Sequence, residues 1–234
     1  MDEKRKGPAD IPTSERMRDV GAAMFSAMGK KSSGELEAEQ SGARLRLTES
    51  DVQGLTADWP KAPKLSVEQT MKQYGPPNEG TPARLIWYNS GPWKRVEITR
   101  DEIEHNFPAP HTDYMTCWID YQVPIEFADE LTRYDGSCLI DRTAGEVGAR
   151  CDGEAADMVT INFMHEIVTG KKTVEEAREA YAEQLSAYLL GRPAPYAEGL
   201  LFDPPRGGTV DPDETIMPPH MLNQLKEKLK DAVA

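Results

Sequence analysis

Cysteine is scarce in this sequence, and the few cysteines are widely spaced. Cys117, Cys138 and Cys151 form neither a CxxC metal motif nor the dense framework of a disulfide-stabilised secreted domain. All three stand in apolar, strand-like contexts. We therefore predict buried, reduced thiols.

Long hydrophobic runs are also missing. No apolar stretch approaches the ~20 residues that a membrane-spanning helix requires. The charged first residues, MDEKRKGPADIP, have no hydrophobic segment behind them that would resemble a signal peptide. These absences predict a cytoplasmic protein without a membrane span.

Basic residues are fewer than acidic residues. The chain has 27 Lys and Arg against 40 Asp and Glu, which gives a formal net charge of -13. This charge repels a phosphate backbone, and no basic run with interleaved aromatic residues offsets it. The motifs GxGxxG, GxxxxGK[ST] and HExxH do not occur. We predict no nucleic-acid binding and no cofactor.

The chain does contain a dense centre between two polar ends. Residues 1–56 are rich in Gly, Ser, Glu and Lys and predict a flexible N-terminal arm. Apolar residues at helical spacing between Ser14 and Met28 are consistent either with a short docking helix or with a disordered tail. Residues 57–191 predict the core domain, and residues 192–234 predict a proline-rich extension that ends in an amphipathic helix.

The pattern of the core predicts an α+β fold. Capping boxes at Ser66 with Gln69 and at Thr173 with Glu176 predict the starts of two helices. Two hairpins require antiparallel pairing, so we predict a mainly antiparallel sheet of about five strands with helices on one face. The predicted strands are 84–88, 93–99, 115–123, 137–141 and 146–151, and further helices are predicted after Pro124 and over 154–169.

Residues 101–113 join two predicted strands and contain two prolines, so they predict a long irregular loop. His105, His111 and Asp113 lie in it, and a turn could bring two imidazoles and a carboxylate to one divalent ion. However, His-x5-His-x-Asp is not a known zinc pattern, and histidines in such loops commonly bond to the backbone. We therefore predict no metal, with these three residues as the candidates if one binds.

The central strand predicts which face of the sheet meets the helices. Cys117 and Ile119 alternate with Trp118 and Asp120. Uncompensated burial of a polar group costs about 1–3 kcal/mol, so the Cys117 face should be the buried one. Trp118 would then be exposed or covered by an arm, and it would be the main contact residue on the sheet.

Other aromatic residues of the core raise a second interpretation. Trp87 and Trp93 could form an aromatic groove with Trp118, although large aromatics in paired strands are more often core residues. The predicted ligand- or partner-binding residues are Trp118, Asp120, Trp93, Trp87, His105 and His111.

Several short segments resemble a group of small, uncharacterised bacterial proteins. The resemblance covers Trp59 to about Leu190, and it rests on WPK, YGPP, LIWYNSGPWKR, HNFPAPHTDY, IDYQVP, YDGS, ARCD and IVTGKKTVEEAREAYAE. It implies a self-standing bacterial domain with additions at both ends. It implies no activity, catalytic residue or cofactor.

Two functions remain open. The first is a non-enzymatic cytosolic accessory or assembly protein, which associates with a protein partner or with itself through its arms and the aromatic sheet face. The second is a small-molecule or metal-dependent enzyme with its site at the His105–Asp113 loop. Convergence of His105, His111 and Asp113 in a pocket would favour the second function, and scattered side chains would favour the first.

Overall fold

The computed structural model describes residues 8–33 and 45–233. The chain divides into two compact units, one formed by residues 1–36 with 212–234 and the other by residues 37–211. These boundaries differ from the predicted ones at 56 and 191. The smaller unit contains parts of both predicted arms, and the larger unit extends beyond the predicted core at both ends. Residues 1–7 and 34–44 of the predicted N-terminal arm lie outside the described residues.

The larger unit is built on an antiparallel sheet with the order β1-β2-β3-β4-β6-β5. The predicted α+β class is confirmed, but the sheet has six strands rather than five. The additional strand, β1, has only three residues, Glu-Gly-Thr, and these carry no apolar alternation that could have revealed it. The strands are β1 (Glu79–Thr81), β2 (Arg84–Ser90), β3 (Trp93–His105), β4 (His111–Asp120), β5 (Cys138–Asp141) and β6 (Glu146–Cys151).

The described residues contain eight α-helices and two short 3-10 turns, at Pro8–Asp10 and Ile125–Phe127. None of these helices combines the length and the apolar character that crossing a bilayer requires. The helices are α1 (Thr13–Ser33), α2 (Glu49–Leu55), α3 (Lys61–Tyr74), α4 (Ala128–Tyr134), α5 (Glu154–Val168), α6 (Val174–Leu189), α7 (Pro195–Glu198) and α8 (Pro219–Val233).

One of the two predicted capping boxes is present in the structure and the other is absent. At the start of α6 the box is present, because Thr173 Oγ1 accepts from Glu176 N at 3.2 Å and Glu176 Oε2 accepts from Thr173 N at 2.9 Å. At Ser66 the prediction was wrong, since α3 begins at Lys61 and buries Ser66 in its interior. The pair Ser66 and Gln69 occurs there inside a helix rather than at its end.

The face of β4 that carries Cys117 is the buried one, as predicted. Trp87, Val96, Cys117 and Ala149 are cross-strand neighbours from β2 to β6, and all are at most 1% exposed. Helices α3 and α5 both contact the sheet, and their buried apolar residues belong to the same core. All three cysteines are free and buried, which confirms the prediction of reduced core thiols.

The predicted loop over 101–113 is mostly β-structure, so that prediction was wrong. β3 continues to His105 and β4 starts at His111, with a shift in register between Ile98 and Ile103. The two strand ends form a two-stranded ribbon, hereafter the β3–β4 ribbon (residues 100–114). Its outer part is exposed and rich in charge, so it lacks the apolar alternation that reveals a strand in a sequence.

The smaller unit pairs α1 with α8. Leu229 of α8 is 1% exposed and packs against Gly21 of α1, where the absence of a side chain leaves room for the leucine. Helices thus occur in both predicted positions, near Ser14 and after Pro219.

Candidate metal centre

Strand pairing brings His105, His111 and Asp113 together. His105 and His111 are direct cross-strand partners, and Asp113 lies two residues further along β4, on the same face as His111. One ligating atom from each side chain lies within 4.8 Å of the other two. The nearest atoms are Asp113 Oδ1 and His111 Nε2, which are 3.1 Å apart, and Asp113 Oδ1 and His105 Nδ1, which are 3.4 Å apart.

His111 is oriented by the backbone of the ribbon tip, residues 106–110 of the β3–β4 ribbon. Its Nδ1 lies 2.8 Å from the carbonyl oxygen of Ala109. Since a carbonyl can only accept, Nδ1 carries the proton and donates it. In a neutral imidazole the lone pair is then on Nε2, which points toward Asp113 Oδ1 and lies 3.3 Å from Cys151 Sγ.

His105 has a carboxylate on its other side. Its Nε2 lies 3.5 Å from Asp135 Oδ1, in the short connection between α4 and β5. Asp135 is 3% exposed, and burial raises the pKa of this carboxyl above its usual value. A carboxylate behind an imidazole favours one tautomer and fixes the orientation of the ring, an arrangement common around metal-binding histidines.

Asp113 is almost fully buried and uses only one of its oxygens for a hydrogen bond. Ser137 Oγ donates to Oδ2 at 2.5 Å, and Arg150 Nε lies 3.6 Å from the same oxygen. Oδ1 and His105 Nδ1 are both buried and have no hydrogen-bond partner. These two buried atoms therefore face each other at the centre of the cluster formed by His105, His111 and Asp113. A cation between them would give each atom a bonding partner.

The ribbon tip closes over the cluster. The Phe107 ring lies 4.9 Å from the ring of Tyr181 and packs edge-on against Tyr134. The Arg178 guanidinium stacks on the other side, 3.9 Å from the Phe107 ring centroid. As a result the side chains of His105, His111 and Asp113 are only 18%, 14% and 1% exposed.

Two further titratable groups lie below the cluster in the core. Burial, and then the carboxylate of Asp157, raises the pKa of the Cys151 thiol well above its usual value. Burial likewise raises the pKa of Asp157 itself, and the neighbouring Cys117 thiol opposes this rise in part. Burial therefore favours the neutral form of both groups by raising the pKa of each.

A cleft of about 700 Å³ is lined by residues of α3, α5 and α6. Asp152, the neighbour of Cys151, reaches this cleft, but His105, His111 and Asp113 do not line it. The three candidate ligands converge as the metal hypothesis requires, but at a closed position under the ribbon tip.

The other predicted binding residues lie elsewhere. Trp87 and Trp93 are fully buried in the core, with their Nε1 atoms donating to Gly75 O and Glu154 Oε1. Trp118 is on the opposite face of the sheet, so these three tryptophans do not form one groove.

The chain's own residues cover Trp118 and Asp120. The Arg95 guanidinium lies 4.3 Å from the Trp118 ring centroid. Asp120 pairs with Lys94 at 2.5 Å and accepts from Gly207 N at 3.1 Å. The contact role predicted for Trp118 and Asp120 remains a prediction.

The sequence did not reveal the outer partners of the cluster. Asp135, Ser137 and Ala109 lie in turns or a loop, where polar residues are ordinary. A signal was present in the pair His105 and His111, because recognising the ribbon would have placed them opposite each other.

Comparison with known protein families, with curated proteins and with solved structures finds no match for this chain. The resemblance to small bacterial proteins therefore remains a prediction. Any functional argument depends on the geometry of the cluster itself.

Proposed function

We propose that the protein is a non-enzymatic accessory protein of the cytosol whose larger unit holds a structural divalent metal ion at His105, His111 and Asp113. The observation that carries the proposal is the convergence of three ligating atoms within 4.8 Å, two of them buried without hydrogen-bond partners. The opposite atoms of the same three side chains face Ala109, Asp135 and Ser137.

The donor set favours a transition metal of the zinc class. Two imidazoles and one carboxylate are typical zinc ligands, whereas calcium and magnesium prefer oxygen atoms alone. A tetrahedral ion with bonds of ~2.0–2.1 Å places neighbouring ligand atoms about 3.3 Å apart. The separations of 3.1 Å and 3.4 Å around Asp113 Oδ1 fit that value before any ion is bound.

The position of the cluster favours a structural role over catalysis. A two-stranded ribbon is only marginally stable by itself, and an ion here would join both of its strands. Asp113 is buried, His105 and His111 are 18% and 14% exposed, and none of the three lines the neighbouring cleft, which favours a structural ion. The metal-dependent enzyme would instead need an open coordination position.

We expect the full-length, tag-free protein to bind one zinc ion per chain, and His111→Ala to weaken the binding by at least ~100-fold. Loss of an outer partner alone typically costs 10–100-fold in affinity, and loss of a ligand should cost more. Isothermal titration calorimetry and elemental analysis would measure the affinity and the stoichiometry. The matched control is His220→Ala, since His220 is exposed and lies in the other unit. Equal zinc binding by wild type and His111→Ala would contradict the proposal.

Self-association through the smaller unit is a second candidate function, supported by the surface of α1. Val20, Phe25 and Met28 are exposed apolar side chains on this one helix. Apolar residues scattered singly are ordinary on a protein surface, so the support for this function is the presence of three exposed apolar side chains on one helix. A second copy of the chain is the partner that we propose.

We expect the wild-type protein to form dimers that the double substitution Val20→Glu with Phe25→Glu disrupts, because the added carboxylates would be buried in the contact. Size-exclusion chromatography with light scattering over a wide concentration range would measure this. Leu189→Glu is the control, since Leu189 is 74% exposed on α6 of the larger unit. A wild-type protein that stays monomeric throughout would exclude this function.

A further inference from the structure

We infer that Cys151 supplies the fourth ligand of the metal centre, so that a thiolate, two imidazoles and a carboxylate would enclose the ion. This inference rests on the proposed metal-binding function and adds the chemical class of the site. It differs from the prediction made for Cys151 from the sequence, which was that of a core thiol.

The sulfur of Cys151 lies beside the candidate metal ligands. Cys151 is the last residue of β6 and pairs with Met115, two residues after Asp113 on β4. Its Sγ–H donates to His111 Nε2 at 3.3 Å, which places the sulfur beside the nitrogen that would bind the ion, although Cys151 is not in the group of ligand atoms that all lie within 4.8 Å of one another. A thiolate bonds to zinc at ~2.3 Å and an imidazole at ~2.0–2.1 Å, so neighbouring S and N ligands of a tetrahedral ion lie about 3.5 Å apart.

A thiolate ligand would also balance the charge of the ion. Asp113 and two neutral imidazoles would leave a dication with a net charge of +1 in a buried position, which is costly in a medium of low dielectric constant. A thiolate from Cys151, whose side chain is itself buried, makes the centre neutral. On binding, the Sγ–H bond breaks, the sulfur keeps the electron pair and bonds to the metal, and the proton passes to the solvent.

Four protein ligands are typical of a closed, structural metal site. Structural zinc ions are almost always bound by four protein ligands, whereas catalytic ions keep a position for water. The sulfur would occupy that position here. The inference therefore agrees with a centre that lies under the ribbon tip and outside the cleft.

The test uses the full-length protein loaded with Co²⁺ and then with Zn²⁺. With cobalt, we expect a thiolate-to-metal charge-transfer band in the near ultraviolet for wild type, and the loss of this band in Cys151→Ser. Cys138→Ser is the control, because Cys138 is also a buried free thiol but stands on β5, beside Ala149 rather than beside the imidazoles. It should keep the band. We also expect Cys151→Ser to lower zinc affinity at least ~10-fold.

X-ray absorption of the wild-type zinc protein needs no variant, so it decides the matter even if Cys151→Ser does not fold. One sulfur neighbour at ~2.3 Å supports the inference. A zinc ion with only nitrogen and oxygen neighbours, or a cobalt protein without the charge-transfer band, overturns the inference and leaves the proposed metal site standing. Failure of wild type to bind either ion overturns both.

Discussion

Replacing Ile119 with alanine is expected to lower the free energy of unfolding by about 2–5 kcal/mol. Ile119 is 1% exposed near the C-terminal end of β4 and pairs with Val147 of β6. The sheet face that carries it lies in the common core with α5. The substitution removes buried methyl groups and leaves a cavity that rigid neighbours on both sides fill only in part.

Urea denaturation would measure the change, with Ile103→Ala as the matched control. Ile103 belongs to the same sheet but is 47% exposed on the β3–β4 ribbon, so its loss should cost less than ~0.5 kcal/mol. A loss for Ile119→Ala no larger than that for Ile103→Ala would contradict the burial of Ile119 in the core.

Removing the proposed metal ion is expected to destabilise the larger unit by a comparable amount. An ion that binds only the folded chain adds about 4.1 kcal/mol when its free concentration is 1,000 times its Kd. The stabilising effect should act on the ribbon first, because the ligands come from both of its strands. Thermal melts with zinc and with a chelator would show the difference as a shift in Tm.

His105→Ala provides the comparison for this second prediction. The variant should melt near the temperature of the chelated wild-type protein, and added zinc should no longer raise its Tm. His165→Ala is the control for the loss of a histidine that does not bind the ion. His165 stacks on Phe202 at a centroid distance of 4.0 Å and is not part of the cluster. A wild-type Tm that does not respond to zinc or chelator would count against a structural ion.

Local sequence signals predicted the regular elements that bury an apolar face. Thr173 and Glu176 mark the start of α6 because a capping box satisfies backbone donors within four residues of sequence. The same signal failed at Ser66, because the helix already begins at Lys61 and buries Pro63 in the turn before Ser66. Tertiary packing, which the local pattern does not record, decided that boundary.

The candidate site, too, was predicted only in part from the sequence. His105, His111 and Asp113 were predicted as the metal candidates from their residue types and closeness in sequence, and the structure brings them together. The structural cause differs from the predicted one, because strand pairing rather than a loop aligns the three residues. Asp135 and Cys151 could not be placed beside them from the sequence, since each reaches the cluster from a different element.

Gly145 brings two parts of the chain that are distant in sequence into close contact. It lies in the turn between β5 and β6 with φ +66°, and a β-carbon there would overlap the backbone of Thr209. Glycine is therefore required twice, for the turn and for the segment that passes over it. In natural variants of this chain, a side chain at this position would have to appear together with a different path for residues 207–211. The turn and the C-terminal segment are thus expected to be inherited as one unit.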